Sequence, residues 1–370
     1  MRIGKGKFIV CIAAAFIAGV IVSAAVVINF TGIKEFRKVL EVYDRIDSIF
    51  YMETDSDKLI DGACRGMVEA LDDTYSSYMT KDEFEEWKAA VTGKYSGVGI
   101  TFAEDAEGNY AVIAVSKDSP AEKGGIKTGD FILAADGKKY DSINALASAI
   151  RGDKGTEVKI TYQRDGKENT VSLIRENIVQ HSVEYEMLDG KTAYIKVDSF
   201  IEDTDEEFSD ALEAVEKKGA DKLILDLRNN GGGLVDSCIN IADEFLAEGL
   251  IMYVEAKDGS REDFKAEEGK TELETVVLVN ENSASASEIL AAALKDNGVA
   301  IVGVKTFGKG IIQYTTDLKD GSALELTVLQ YFSPKGNAIH KKGIKPDYEV
   351  KLDKNSEVDS QLEKAKELLK

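Results

Sequence analysis

Two neighbouring stretches decide the fold: TVVLVNENSASASEIL at residues 275–290 and VAIVGVKTFGKGIIQ at residues 299–313. Each begins with an aliphatic, β-branched run, which is typical of a strand that is buried in a sheet. In the first stretch, a tight turn of small polar residues follows the strand and leads into a helix. In the second, a loop bounded by glycines presents Lys309. This strand–helix–strand order predicts an α/β core.

A serine in such a turn is well placed as a nucleophile, because its hydroxyl is held rigidly and the N-terminus of the helix faces a developing oxyanion. A base must take its proton. The chain has only two histidines, His181 and His340, and neither lies in a loop with the turn residues typical of a catalytic base. Lys309, held between Gly308 and Gly310, is the better candidate.

Lys309 can act as a base only when its amine is neutral. The reference pKa of lysine is about 10.4, so the site must lower the pKa by roughly 3 units, or about 4 kcal/mol. Burial among apolar neighbours has this effect, and Val304, Phe307 and Ile311 are the expected neighbours. Gln313 could orient the amine without adding a charge that raises the pKa.

The SASASEI run, followed by TFGKG and then a glutamine, closely resembles the carboxyl-terminal processing proteases, also called tail-specific proteases. The resemblance implies that Ser285 is the nucleophile, Lys309 the general base and Gln313 its support. The interval from Ser285 to Lys309 is one residue shorter than is usual in that family, so Ser283 remains an alternative. A structural explanation also competes, since serine is a preferred N-cap and Ser285 or Ser287 could do no more than cap the helix.

A triple glycine, Gly231–Gly233, follows the buried strand KLILDL and precedes another helix. Glycine lets the backbone approach a ligand closely and expose its N–H groups. A phosphate loop is one interpretation, but neither the GK[ST] ending nor the GxGxxG spacing is present. The protease family has a DLRxNxGG motif here, and the resemblance implies an oxyanion hole formed by Gly232 or Gly233 together with Ala286. A turn that merely needs positive φ would require the same glycines.

Residues 92–176 resemble a PDZ domain, a module that binds the terminal carboxylate of a polypeptide. SPAEKGGIKTGD, a DG turn and a helix predicted from Ser142 to Ile150 support this assignment. A peptide C-terminus would add as a strand next to the carboxylate loop. The loop residues are Gly97, Val98, Gly99 and Ile100.

Arg151 follows directly after that predicted helix. Its guanidinium could sense a bound carboxylate or dock onto the protease core. The alternative is a solvated cation at a helix C-terminus, where the helix dipole stabilises positive charge. The sequence alone favours this second explanation.

The N-terminus has the pattern of a membrane segment. A basic tip, MRIGKGK, precedes Phe8–Ile28, which contains no charged residue. At about 1.5 Å per residue this run is roughly 30 Å long, close to the apolar thickness of a bilayer. The basic flank predicts a cytoplasmic N-terminus and an exported remainder. We favour an uncleaved signal anchor over a long cleavable signal peptide, which would leave a secreted protein.

Composition restricts the partners. The formal net charge is −21 over 370 residues, which argues against nucleic acid and against a generally basic, lipid-binding surface. Cys11 lies in the apolar N-terminal run, and Cys64 and Cys238 have no CxxC spacing, so we expect the last two to be lone buried thiols. No metal and no cofactor are implied.

These features predict four parts. Residues 1–29 are the basic tip and transmembrane helix, residues 30–91 an N-terminal helical region, residues 92–176 the PDZ domain, and residues 177–370 the serine protease core with a C-terminal helix. The resemblance, which runs from about residue 60 to the end, implies that the α/β core consists of crotonase-like βαβ units with the β-rich PDZ domain inserted.

The expected activity is that of a membrane-anchored, extracytoplasmic serine endopeptidase. Its PDZ domain would recognise apolar polypeptide C-termini, and its Ser-Lys dyad would cleave the chain through an acyl-enzyme. Related proteins suggest a homodimer formed through terminal helices. Two other functions compete: a catalytically silent PDZ-containing scaffold or chaperone that binds peptides, and a crotonase-type enzyme acting on acyl thioesters.

Overall fold

The structure is a computed structural model that describes residues 33–105, 107–267, 271–352, 356 and 358–370. These residues divide into two units, one ending at Thr80 and the other running from Lys81 to Lys370. The predicted membrane segment at residues 8–28 lies outside the described part of the chain. Among the described residues, no helix combines the length and the apolar character needed to cross a bilayer.

In its described residues, 33–80, the N-terminal unit has two helices and a short strand. The second helix begins after Asp55, whose carboxylate accepts the backbone N–H groups of Asp57 and Lys58. In the short strand that follows, the buried Tyr78 donates its hydroxyl proton to Asp61 at 2.6 Å. The elements are α1 (Ile33–Ile49), α2 (Ser56–Glu69) and β1 (Ser77–Met79).

The second unit begins with a helix and an antiparallel ribbon that carries the PDZ-like part. The two ribbon strands pair with Lys94 opposite Val179 and Gly97 opposite Glu176, so the chain enters and leaves this part side by side. Strand β8 continues to Val179, beyond the predicted limit at residue 176. The first elements of the unit are α3 (Lys81–Thr92), β2 (Lys94–Gly97) and, at the end of the PDZ-like part, β8 (Glu176–Val179).

Between the ribbon strands lies a five-stranded antiparallel sheet in the order β3–β4–β5–β6–β7. The predicted helix starts after Ser142, whose hydroxyl accepts the N–H of Ala145. The elements are β3 (Ile100–Glu104), β4 (Tyr110–Val115), α4 (Pro120–Lys123), β5 (Phe131–Ala135), α5 (Ile143–Ile150), β6 (Glu157–Arg164) and β7 (Lys167–Ile174).

A six-stranded sheet in the order β18–β15–β14–β11–β10–β9 forms the centre of the remaining chain, with only the β9–β10 pair antiparallel. Its elements are β9 (Val183–Met187), β10 (Thr192–Val197), α6 (Thr204–Lys217), β11 (Lys222–Asp226), α7 (Val235–Asp243), β14 (Glu274–Val279), α8 (Ala286–Asp296), β15 (Ala300–Gly303), β18 (Tyr348–Glu349) and α9 (Ser360–Leu368).

Both faces of this sheet are covered, which explains the apolar runs in its central strands. Leu223 and Leu225 of β11 pack in the core that includes α6, α7 and α8, whereas Ile224 between them packs with Ala365 of α9 on the other face. Successive side chains of a strand point to opposite faces. The α/β layering and the strands predicted from these runs are therefore confirmed.

A second sheet is antiparallel and lies in the order β16–β17–β12–β13. Strand β16 starts two residues after Lys309, so this sheet is a direct continuation of the Gly-bounded loop. Its strands are β12 (Gly249–Ala256), β13 (Arg261–Ala266), β16 (Ile311–Asp317) and β17 (Ala323–Phe332).

Candidate active site

Ser285 lies at the turn between β14 and α8, directly before the first helical residue. Its backbone adopts φ of 55° and ψ of −117°, and positive φ is uncommon for residues other than glycine. Strained backbone of this kind clusters at functional sites. The residue lines a cleft with a volume of about 620 Å³.

The neighbouring serines have structural partners. Ser283 is buried, and its hydroxyl donates to the carbonyl of Leu227 at 2.8 Å and accepts the N–H of Asn280 at 2.9 Å. Ser287 is also buried and donates to the carbonyl of Asn230 at 2.9 Å. Of the three serines in the SASAS run, Ser285 is the one that faces the cleft.

The glycine loop after β11 lies against Ser285. A Cβ atom added to Gly232 would be 2.8 Å from the Cβ of Ser285. The N–H of Gly232, however, donates to the side chain of Asn230 at 2.8 Å. Gly233 is held by the adjacent backbone of Phe200, and a Cβ atom there would lie 2.0 Å from the Phe200 carbonyl oxygen. Of the two glycines predicted as alternative oxyanion donors, Gly232 thus already uses its N–H in a hydrogen bond.

Lys309 lines the same cleft and is half-buried. Ile311 and Val304 are half-buried as well, but Phe307 is 58% exposed. Phe307 is thus the most exposed of the three expected neighbours, and its backbone N–H donates to the carbonyl of Ser283. Gln313, on the other hand, lines the cleft together with Lys309, and its Nε2 donates to Thr327 at 3.0 Å.

The remaining walls of the cleft come from three elements. Helix α3 contributes Trp87 and Val91, the start of α7 contributes Val235 and Asp236, and β17 contributes Glu325. The cleft therefore has both apolar and acidic surface.

Two residues beside the cleft were missed by the sequence analysis. Glu288 is fully buried. Burial raises the pKa of its carboxyl group, while hydrogen bonds from Thr306, Lys309, Gly308 and Ser285 act in the opposite direction. A pattern was available, because Ser285 and Glu288 have the spacing of a helix capping box.

Tyr331 in β17 is the second residue that was missed, and no local pattern marked it. Its side chain is fully buried. Burial, followed by the nearby Glu288 carboxylate, raises the pKa of its hydroxyl well above the usual range. The hydroxyl therefore keeps its proton at neutral pH and can donate it.

The predicted carboxylate loop lines a groove of about 290 Å³ in the PDZ-like part. All four loop residues, Gly97 to Ile100, contribute, and the other wall includes Ile143, Ala147 and Ile150 of α5. Gly99 has φ of +79°, and a Cβ atom there would lie 2.4 Å from the Cβ of Ser119. The groove thus lies beside the edge strand β3, and its lining combines apolar side chains with polar ones such as Asn144 and Gln180.

Arg151 also lines this groove, with its guanidinium 5.3 Å from the centre of the Tyr95 ring. The helix-capping role is filled by another arginine. Arg175 is buried and donates to the last carbonyls of α5, at 2.8 Å to Ala149 and 2.9 Å to Ile150. Arg151 thus lines the groove without bonding these carbonyls in the manner of Arg175.

Neither predicted thiol nor either histidine lines the described cleft. Cys238 is fully buried beneath α8, where its thiol donates to the carbonyl of Ala286 at 3.0 Å, whereas Cys64 is only half-buried, so the prediction of burial holds for Cys238 alone. His181 contacts Glu207 at 2.5 Å on the surface.

Three known families match the sequence. Peptidase family S41 matches residues 191–350, the PDZ domain matches residues 96–174, and the N-terminal domain of the activating protease CtpB matches residues 22–83. The carboxy-terminal processing protease CtpA of Bacillus subtilis (strain 168) is 42% identical over 328 residues, which cover 87% of this chain and 70% of the relative.

Solved structures agree in fold. The photosystem II D1 C-terminal processing protease is 28% identical with a TM-score of 0.53, and the match covers 85% of this chain and 86% of that chain. An S41 protease from Bacteroides fragilis NCTC 9343 has a TM-score of 0.56 at 17% identity, covering 87% and 93% of the two chains, and supports the fold alone.

Proposed function

The chain belongs to peptidase family S41, among the carboxy-terminal processing proteases, and is a serine-type peptidase, and we propose that it cuts polypeptides with a dyad of Ser285 and Lys309. One observation carries this proposal: Ser285 and Lys309 line a single cleft, while Ser283 and Ser287 use their hydroxyls inside the core.

In the proposed reaction, the neutral amine of Lys309 takes the proton of the Ser285 hydroxyl as Oγ attacks the scissile carbonyl carbon. Lys309 then gives that proton to the leaving amine, and the C–N bond breaks to leave an acyl-enzyme. Water, deprotonated by Lys309, hydrolyses the ester and restores Ser285. Gln313, on the same wall of the cleft, supports the amine, and general base catalysis of this kind contributes about 10²- to 10⁴-fold.

The oxyanion that forms in both steps needs hydrogen-bond donors. We assign this role to the N–H groups of Gly233 and Ala286, because the N–H of Gly232 is bound to Asn230 and Ala286 is the first residue of α8. Each such donor typically lowers the barrier by about 3 kcal/mol. The positive end of the α8 dipole adds to the effect.

Substrates are proposed to be polypeptides with apolar C-termini. The glycine-bounded loop and α5 line a groove to which Val98, Ile100, Ile143 and Ile150 contribute aliphatic side chains. A terminal carboxylate at Gly97–Ile100 would be bound by backbone N–H groups, with the chain added along β3. Arg151, held over the Tyr95 ring at the groove, is proposed to sense that carboxylate.

The location and assembly of the protein are part of the proposal. We place the PDZ and protease parts on the extracytoplasmic side of a membrane, anchored by residues 8–28, because of the basic tip and the long apolar run. A homodimer through terminal helices fits the exposed apolar side chains of α1, which include Phe36, Leu40 and Val42. We also propose that the βαβ units of the α/β core are crotonase-like.

The test uses the full chain as wild type, Ser285→Ala and Lys309→Ala, with Lys305→Ala as the matched control, since Lys305 is an exposed lysine in the same loop. Each protein is incubated with an unfolded polypeptide that ends in apolar residues and has either a free or an amidated C-terminus. We expect the wild type and Lys305→Ala to cut the free-tailed chain faster than the amidated one, and both dyad variants to lose at least about 10³-fold in rate.

Full activity of Lys309→Ala would show that the base is misassigned. If every variant, wild type included, bound the tail and none cut it, the catalytically silent scaffold or chaperone would be the better function. A crotonase-type reaction on acyl thioesters is disfavoured, because such an enzyme needs neither a serine nucleophile nor a groove for peptide C-termini.

A further inference from the structure

We propose that Glu288 and Tyr331 are positioning residues that clamp the backbones of Ser285 and Lys309 together, an inference that rests on the proposed function. Glu288 accepts the backbone N–H groups of both residues. Tyr331 contacts the backbone carbonyl oxygens of both residues. Two buried side chains thus link the nucleophile to the base: Glu288 through their backbone N–H groups and Tyr331 through their backbone carbonyl groups.

On the N–H side, one carboxylate oxygen of Glu288 accepts the N–H of Ser285 at 3.1 Å and that of Lys309 at 2.8 Å. The other oxygen accepts the N–H of Gly308 at 2.8 Å and the hydroxyl proton of Thr306 at 2.5 Å. Four donors around one carboxyl group fill the acceptor sites of an ionised carboxylate and leave no acceptor for a carboxyl proton.

The direction of the threonine hydroxyl is fixed independently. Thr306 Oγ1 accepts the backbone N–H of Ile344 at 2.7 Å, so its own proton is free to point at Glu288. The carboxylate is fully buried, and a buried charge is stable only when hydrogen bonds satisfy it. The buried carboxylate of Glu288 therefore depends on the hydrogen-bond donors of the Lys309 loop, and the loop depends on Glu288 as their acceptor.

On the carbonyl side, the Tyr331 hydroxyl lies 3.0 Å from the Ser285 oxygen and within hydrogen-bond distance of the Lys309 oxygen. A phenol has one proton, so the two carbonyls share it. Because β17 carries Tyr331 and pairs with β16 directly after the loop, the clamp is anchored in the second sheet.

The clamp would fix the separation between Ser285 and Lys309. Ser285 belongs to the start of α8, while Lys309 stands between two glycines, one of which, Gly308, has φ of +98°. Such a loop has little rigidity of its own. A displacement of about 1 Å between reacting groups can cost about 10²-fold in rate, so the separation of the dyad must be set by contacts from outside the loop.

The test compares the full-length wild type with Tyr331→Phe, which keeps the ring in the core and removes only the shared proton. Values of kcat and KM are measured on the free-tailed substrate, with the Kd of a fluorescent apolar tail peptide and the midpoint of thermal unfolding. We expect kcat to fall at least about 10-fold, with KM and the peptide Kd within about twofold of wild type.

Tyr194→Phe is the matched control. Tyr194 also loses a hydrogen bond, from its hydroxyl to Asp226 at 2.7 Å, in a half-buried position on β10. We expect Tyr194→Phe to lower the unfolding midpoint about as much as Tyr331→Phe but to leave kcat within about twofold of wild type. A merely structural role of Tyr331 would make the two variants alike in kcat.

Glu288→Gln provides a second measurement. The amide NH₂ group that replaces one carboxylate oxygen would face hydrogen-bond donors and could accept none of them. We therefore expect kcat to fall at least about 10²-fold. Because both variants loosen the same geometry, the double variant should lose less than the product of the two single losses. If Glu288→Gln does not fold, Tyr331→Phe decides alone.

The outcomes separate the clamp from the dyad. If Ser285→Ala is inactive while Tyr331→Phe keeps kcat within about twofold of wild type, the clamp is wrong and the dyad stands. If Ser285→Ala cleaves normally, the proposed function fails, and the clamp fails with it. A fall in kcat for Tyr331→Phe that Tyr194→Phe does not share supports the clamp.

Discussion

Gly232 packs directly against Ser285, the proposed nucleophile. An added Cβ atom would lie 2.8 Å from the Ser285 Cβ and 2.8 Å from the carbonyl oxygen of Ala284, and φ at this position is +103°. Real Cβ atoms do not approach other atoms so closely, and a residue with a side chain is strained at this φ. The glycine is thus required by a close approach and not only by a turn.

The first prediction at this scale concerns Gly232→Ala. The new methyl group must displace Ser285 or the start of α8, which moves the nucleophile away from the oxyanion donors. We expect kcat/KM on the free-tailed substrate to fall at least about 10²-fold, with the tail peptide Kd unchanged.

Gly231→Ala is its control, because Gly231 is exposed and has no atom within 4 Å of an added Cβ. We expect it to retain activity within about twofold of wild type. Equal activity of the two alanine variants would mean that Gly232 does not touch the reacting geometry.

At the scale of elements, the C-terminal helix is tied to the strand that precedes the glycine loop. Arg228, just after β11, donates to Asp226 and reaches Asp359 at 2.7 Å. Asp359 also caps α9 by accepting the N–H groups of Gln361 and Leu362. The last helix is therefore bonded to the same chain segment that leads into the glycine loop, Gly231–Gly233.

A pH-dependent stability follows from this contact. Burial alone would raise the pKa of Asp359, but the hydrogen bonds from Leu362 and Arg228 outweigh it and hold the pKa below its usual range. A carboxyl group with a lowered folded-state pKa stabilises the fold above its unfolded-state pKa of about 4, and the stabilisation is lost as the pH falls further.

We therefore expect Asp359→Asn to lower the free energy of unfolding by about 1 kcal/mol at pH 7 and by much less at pH 3. Urea unfolding at both pH values measures this. Glu363→Gln on the same helix removes an exposed ion pair with Lys366 and should change little at either pH. An equal loss for Asp359→Asn at both pH values would contradict the assignment.

At the scale of the whole molecule, the PDZ-like part is joined to the protease core through its ribbon. Strands β2 and β8 pair along their full length. The part has its own core, which includes Val112, Ile132, Val158 and Ile160. Because both chain ends leave at one place, the part has the anatomy of an inserted domain.

At this scale we predict that residues 93–180, expressed alone, fold and bind the apolar tail peptide. The Kd should be within about threefold of that of the full chain, because every residue that lines the groove belongs to this segment. Circular dichroism melting and fluorescence anisotropy measure these properties. A shorter piece, residues 98–174, lacks the ribbon and should melt at a lower temperature. Absence of a cooperative melt for residues 93–180 would show that the core is needed for folding.

Much of this organisation could be predicted from the sequence. The strands flanking Ser285, the glycine loop and the helix from Ser142 follow from patterns that are local along the chain: hydrophobic runs, turn residues and caps. Such patterns depend on neighbours only a few residues away. Ser285 and Lys309 could be singled out for the same reason, since each lies in a short stretch with a distinctive composition.

The sequence by itself determined which segments become strands, helices and glycine turns, and which family the chain resembles. Only the tertiary structure decided that Ser285, not Ser283, faces the cleft, that the Gly232 N–H is already bound, and that Phe307 is more than half exposed. It also brought Tyr331 to Ser285 and Lys309, which lie 46 and 22 residues away in the sequence. The physical reason is that these contacts depend on how β11, β14 and the second sheet pack together, and no local preference of the chain encodes that packing.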